Sequence, residues 1–293
     1  MKKTTRRDAL KHLAAGSLAL GAAPLLSATT LTSNNRGMQF KGIINHSVCR
    51  WTFGHLTVEQ LCQTIKEIGF SAIDLAGPKD WPVLQQNGVY SSMCNGAEIS
   101  LTEGWNNKQY HATLIKNYTN HIELVAKAGY KNLICFSGNR RGMDDETGLR
   151  NCAEGLKKIA GLAEKKGVVI QMELLNSKVD HKDYMCDKTA WGAELCKRVG
   201  SPNFKLLYDI YHMQIDEGDV IRTILDNTAH IGHYHTGGVP GRHIIDETQE
   251  LYYPAIMKAI ASTGFTGYVA QEFIPESNDK AAELRKAIGI CDI

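Results

Sequence analysis

Several features that would point to other functions are missing from this sequence. Its eight cysteines form no CxxC pair and show no zinc-finger spacing. No Lys/Arg run follows the first residues, and the formal net charge is only +2, so nothing resembles a nucleic-acid footprint. Its N-terminal apolar run, Leu13 to Leu26, is too short and too rich in Gly and Ala for a membrane span. There is no internal repeat, low-complexity segment or interdomain linker. No Gly-rich phosphate loop follows the first strand candidate, where the residues are His46-Ser47-Val48-Cys49-Arg50. Cysteines in apolar surroundings, such as Cys135 in NLICF, read as small buried hydrophobes. Export would leave room for one or two disulfides, whose pairing the sequence does not choose.

The N-terminus reads as an address. Lys2, Lys3, Arg6 and Arg7 precede the short apolar run, and the small residues Ser27-Ala28-Thr29 follow it. Thr5-Arg6-Arg7-Asp8-Ala9-Leu10-Lys11 resembles a twin-arginine export motif. Residues 1–36 are expected to be a signal peptide and 37–293 a single catalytic domain. The mature protein is expected in the periplasm, with no stable membrane span after signal cleavage.

From Phe40 onward, short apolar runs alternate with longer stretches of helical periodicity. Strand candidates are Lys41–Asn45, Ala72–Leu75, Tyr90–Cys94, Asn132–Phe136, Val168–Glu173, Lys205–Asp209, His230–His235 and Gly267–Glu272. Helix candidates are Thr57–Ile68, Tyr110–Ala128, Thr147–Lys166, Lys188–Val199, Asp219–Asp226, Tyr253–Ala261 and Lys280–Ile288, with a weak turn at Trp81–Gln86. Gly69, Gly129, Gly167 and Gly264 stand where helices should stop. Alternating βα units imply a parallel sheet, and eight of them favour closure into a (β/α)8 TIM barrel.

Four strand candidates in the second half end on residues of metal-ligand type: Glu173, Asp209, His235 and Glu272. They recur about once per βα unit. The C-terminal ends of barrel strands converge on one mouth, where active sites sit. An apolar strand has no packing reason to end on an inward carboxylate. Three carboxylates and an imidazole suit one divalent cation: Mn²⁺ first, with Mg²⁺, Co²⁺ or Zn²⁺ as alternatives.

The segments VIQMELLN (Val169–Asn176), LYDIYHM (Leu207–Met213), IGHYHTGGVPGRH (Ile231–His243) and YVAQEF (Tyr268–Phe273) resemble the hydroxypyruvate isomerase family. More broadly, they resemble the xylose isomerase-like barrels, over roughly Gly42 to Ile288. That resemblance implies metal ligands at Glu173, Asp209, His235 and Glu272, and substrate contacts at His212 and Arg242. Two positions depart from the hydroxypyruvate isomerase pattern. His235 stands where those enzymes typically carry Gln, and Ile244 where they carry an acidic residue. The histidine is closer to the epimerase branch.

These residues suit an isomerase or epimerase of a small hydroxy-carbonyl compound or keto-sugar. A metal stabilises the enediolate, while Glu173 and Glu272 remove and return the proton. The same site would serve a 3-keto-glycoside lyase or a dehydratase, and a periplasmic sugar-binding protein is the non-catalytic alternative. A carbohydrate or hydroxy-keto acid is the expected partner, with no nucleic acid; barrels of this kind often form homo-oligomers. Weaker pocket candidates are Glu98, Trp105, Asn176, Lys178 and His243, and Trp51 and Phe53 could form an apolar wall or belong to the core.

Overall fold

A computed structural model describes residues 37–293; the signal-peptide segment and its Arg6-Arg7 pair lie outside the described residues. Eight parallel strands are present: β1 (Asn45–Cys49), β2 (Ala72–Asp74), β3 (Tyr90–Ser91), β4 (Asn132–Cys135), β5 (Val169–Glu173), β6 (Phe204–Asp209), β7 (Ile231–Thr236) and β8 (Tyr268–Gln271). They are ordered β3-β2-β1-β8-β7-β6-β5-β4. The ring closes beyond β3, where Cys94 N donates to Asn132 O at 2.9 Å and Ile134 N to Cys94 O at 3.0 Å. This is the (β/α)8 barrel that the alternating pattern implies.

Nine helices surround the strands among the described residues: α1 (Val58–Ile68), α2 (Trp81–Gln86), α3 (His111–Lys127), α4 (Asp145–Lys166), α5 (Thr189–Val199), α6 (Ile210–Asp216), α7 (Val220–Asp226), α8 (Tyr253–Ser262) and α9 (Lys280–Cys291). Each longer helix turns an apolar stripe inward; α1 buries Leu61, Cys62, Ile65 and Ile68. Thr57 caps α1 by accepting from Gln60 N, and the Gln60 side chain accepts from Thr57 N, which completes a capping box. The four expected helix-stopping glycines all hold left-handed φ. All eight cysteines are buried free thiols.

Two boundaries differ from the sequence reading. The first strand is Asn45–Cys49 rather than Lys41–Asn45. Residues 41–44 are a lead-in, with Lys41 N donating to Asp292 Oδ2 at 3.0 Å, and Ile43 lies exposed. The true strand carries the buried polar residues His46 and Ser47, so no hydrophobic run marks it. The second difference is α6, which begins immediately after β6 with no loop between them. Asp209 ends the strand and caps the helix, accepting from His212 N at 3.1 Å.

One loop contact bears directly on the mouth. Residues 102–106 run against the segment that follows β4, with Asn106 N donating to Ser137 O at 2.8 Å and Asn139 N to Thr102 O at 3.1 Å. A side chain on Gly104 would place its Cβ 2.4 Å from both Phe136 O and Gly138 N, backbone atoms that cannot step aside. Gly104→Ala is therefore expected to destabilise the fold by about 3 kcal/mol. Gly161→Ala, on α4 with nothing within 4 Å of its added Cβ, should stabilise by about 0.5–1 kcal/mol. Urea unfolding of the two variants checks both signs.

Candidate active site

Strand register brings the four strand-end residues together. Asp209 on β6 is the register partner of His235 on β7. Glu173 ends β5. Glu272 lies one residue past β8, where its N–H extends the ladder by donating to Thr236 O at 2.9 Å. One ligand atom from each of Glu173, Asp209, His235 and Glu272 lies within 4.8 Å of all the others, and all four residues are buried.

His235 is central to this cluster. Its Nδ1 lies 3.1 Å from Glu173 Oε1 and 3.0 Å from Glu272 Oε2. On the inner side, its Nε2 donates to Asp74 Oδ1 at 2.9 Å. The other Asp74 oxygen accepts from His233 Nε2 at 2.8 Å and from Ser92 Oγ at 2.6 Å. Burial pushes the Asp74 carboxyl upward, but His233 and His235 outweigh it and hold the group ionised far below the usual range. The Cys49 thiol, pushed well up by burial, donates to the same carboxylate. With its Nε2 proton committed to Asp74, the His235 ring is fixed in orientation and turns Nδ1 toward the mouth.

Arg242 covers the cluster from the solvent side. It is a non-glycine residue at φ 57°, a costly left-handed conformation of the kind that collects at functional sites. Nη1 donates to Glu272 Oε2 at 2.6 Å and lies 3.6 Å from Asp209 Oδ2. The guanidinium sits 4.7 Å from the centre of the Tyr211 ring, and it also donates to His212 Nε2. On the other side of the ring, Asn176 Nδ2 lies 2.6 Å from His212 Nδ1. Burial first, and Arg242 second, push His212 well below its ordinary value, so its ring is neutral. Trp51 Nε1 donates to Glu272 Oε1 at 2.7 Å.

The carboxylates differ in proton affinity. Burial, opposed by His235, raises Glu173. Burial also raises Asp209 strongly, against the pull of Arg242. Glu272 is buried too, but His235 and Arg242 prevail and draw it well below the usual range.

Whether these residues suit a metal can be judged from the same geometry. Asp209 Oδ2 is buried and makes no hydrogen bond. Three buried carboxyl groups converge there on one imidazole beneath a single guanidinium. Oxygen donors with one imidazole nitrogen form a hard-to-borderline set. The residues fit a divalent cation held by Glu173, Asp209, His235 and Glu272.

Above the cluster opens a cavity of about 620 Å³ whose lining includes Trp51, Glu173, His212, Arg242 and Glu272. The structure thus brings together all six site residues expected from the sequence. It does not bring in the weaker candidates, none of which lines this cavity except Trp51. Phe53 and Trp105 are core. Glu98 accepts from Gly96 N, Lys178 donates to the carbonyls of Ile215 and Asp216 at the end of α6, and His243 faces Glu276. Asn176 acts one step back, through His212. Asp74 and His233 were missed. The only signal for them is polar residues inside apolar strands, AID and IGHYHT.

Fold and site together define a (β/α)8 barrel with an acidic, histidine-centred mouth. Residues 62–291 match the xylose isomerase-like TIM barrel family, and the chain belongs to that family. A 2-oxo-tetronate isomerase of Cupriavidus necator is 35% identical over 128 residues, 44% of this chain and 48% of that protein. The hydroxypyruvate isomerase of Escherichia coli is 29% identical over 161 residues, 55% of this chain and 62% of that one. The chain therefore aligns with about half to three-fifths of the length of these relatives. The solved structure of D-psicose 3-epimerase from Clostridium cellulolyticum shares the fold, with a TM-score of 0.72 at 16% identity over 85% of this chain and 98% of that one.

If Asp74 orients the His235 ring, loosening it should weaken the donor set without emptying it. Isothermal titration of Mn²⁺ into Asp74→Asn protein should give an affinity about 10–100-fold below wild type. An unchanged affinity would separate Asp74 from the site.

Proposed function

We propose that this protein is a metal-dependent isomerase or epimerase that moves a proton at the carbon next to a carbonyl in a small hydroxy-carbonyl compound or keto-sugar. The observation that carries this reading is the pairing of Glu173 and Glu272, whose carboxyl groups flank His235 Nδ1 at 3.1 and 3.0 Å at one buried mouth. Two carboxyl groups at one locus can act from two sides of a bound substrate, one taking a proton and the other returning one. The names of the aligned relatives, 2-oxo-tetronate isomerase and hydroxypyruvate isomerase, support the same class.

A divalent cation held by Glu173, Asp209, His235 and Glu272 would polarise the substrate oxygens as a Lewis acid. Glu272 is the better base: its carboxylate is ionised, and Trp51 and Arg242 hold its two oxygens in place. It takes the proton from the carbon next to the carbonyl, and the C–H electron pair moves toward the carbonyl oxygen. Glu173 returns a proton to the opposite face in an epimerisation; in an isomerisation it returns one to the former carbonyl carbon, while the hydroxyl proton passes to the former carbonyl oxygen and leaves the new carbonyl behind. Arg242 and the neutral His212 are placed to hydrogen-bond substrate oxygens, and Asn176 steadies His212.

Deuterium uptake from D₂O, followed by NMR on hydroxypyruvate and free ketoses with added Mn²⁺, tests the reading. Glu173→Gln and Glu272→Gln should each slow exchange by about 10²–10⁴-fold. Chelation should stop it and Mn²⁺ restore it. Exchange that survives both substitutions would reject the two-carboxylate scheme.

A further inference from the structure

The cavity above the acid cluster is divided by chemistry. Its floor is polar: the buried Glu173, His212 and Glu272, with the half-buried Arg242 over them. Its walls and rim are largely apolar, contributed by Trp51, Leu101, Phe136, Val179, Ile215 and Ile274, with Asp180 and His181 as polar members. Four of these are strongly exposed: Trp51 at 49%, Leu101 at 37%, Val179 at 63% and Ile274 at 44%. Only nine large hydrophobics are that exposed among the described residues, so nearly half of them crowd around one opening. Scattered apolar residues on a surface need no explanation, but a cluster marks a binding site.

The size of the cavity bears on what fills it. At about 620 Å³, it falls in the range of pockets that enclose a drug-sized ligand, about 300–1,000 Å³. A hydroxy-carbonyl acid of three or four carbons would engage the floor and leave the apolar walls facing water. The wall residues also come from many sides. Trp51 follows β1, Leu101 lies between β3 and α3, Phe136 follows β4, Val179 follows β5, Ile215 is on α6 and Ile274 follows β8. They encircle the opening instead of forming a flat face, which suits an inserted group better than a second copy of the chain.

We infer that the substrate carries an apolar substituent, aromatic or extended aliphatic, on its hydroxy-carbonyl head, so that the head meets the acid cluster while the substituent packs between Trp51, Val179 and Ile274. This inference rests on the proton-transfer reading above for the head and adds the class of what is attached to it. Among keto-sugars, it favours a glycoside with an apolar aglycone over a free sugar.

Two probes with one head and different tails test it: the methyl and 4-nitrophenyl 3-keto-β-D-glucosides, titrated calorimetrically into the Mn²⁺-loaded protein. The aryl compound is expected to bind about tenfold or more tightly than the methyl compound. The Val179→Ser, Ile274→Ser double variant, altered only at exposed positions, should abolish that gain and leave methyl binding unchanged. Equal affinity for the two probes, or binding of neither, overturns the inference. So does a double variant that keeps the aryl gain but changes the sedimenting mass, which would make the rim an interface between copies. Deuterium uptake into the methyl compound, measured in the same samples, reports on the proton-transfer reading separately. Exchange without an aryl gain rejects the tail alone, and an aryl gain without exchange rejects the chemistry alone.

Discussion

Both ring nitrogens of His235 face carboxylates, Asp74 at 2.9 Å on the inner side and Glu272 and Glu173 at 3.0 and 3.1 Å on the mouth side. This places a single imidazole at the junction between the barrel core and the reactive surface. On the inner side, Asp74 is satisfied by two histidines, a serine and a thiol. The outer contact is unfinished, because one buried Asp209 oxygen has no hydrogen-bond donor. Satisfied on both oxygens, Asp74 holds the ring of His235 rigidly from below.

Arg242 and Asp209 show how local structure is spent on the same point. The β7–α8 loop bends so that Arg242 adopts a left-handed backbone, and the guanidinium then reaches Glu272, His212 and the Tyr211 ring together. Any relaxation of that φ would withdraw the charge from the cluster. Asp209 likewise has two duties, since one oxygen caps α6 and the other faces the mouth. By capping the helix, Asp209 fixes His212 on its first turn, which is why a strand end and a residue three positions later enter the same site.

The mouth was more legible in the sequence than the layer beneath it. Glu173, Asp209, His235 and Glu272 stood out because a carboxylate or imidazole at the end of an apolar strand breaks the pattern at the same place in successive βα units. Asp74 has the same residue type and also ends its strand, but AID is only three residues long and pairs with a histidine two-thirds of a barrel later in sequence. Nothing local announces that partner. β1 starts later than its hydrophobic run suggests for a related reason: its first buried residues are His46 and Ser47, and the apolar Ile43-Ile44 pair lies just before the strand. Helix α6 was hidden because the usual sign of a new element, a loop, is missing between Asp209 and Ile210. The sequence leaves Trp51 open between an apolar wall and the core; its exposed ring lines the cavity, and its hydrogen bond to Glu272 depends on a fold that brings β1 beside β8.

The division of labour across the barrel follows from these placements. The groups suited to moving protons come from the ends of β5 to β8, where side chains are buried and held by the ladder. Much of the wall that a substrate would meet comes instead from loops after β1, β3 and β4, at Trp51, Leu101 and Phe136. Loops can change length and composition without disturbing strand register, so the reach and polarity of the pocket are set independently of its chemistry. A barrel built this way can keep one acid cluster and present it to quite different molecules. Family membership therefore speaks to the floor of this cavity, and the character of the bound molecule has to be read from the rim.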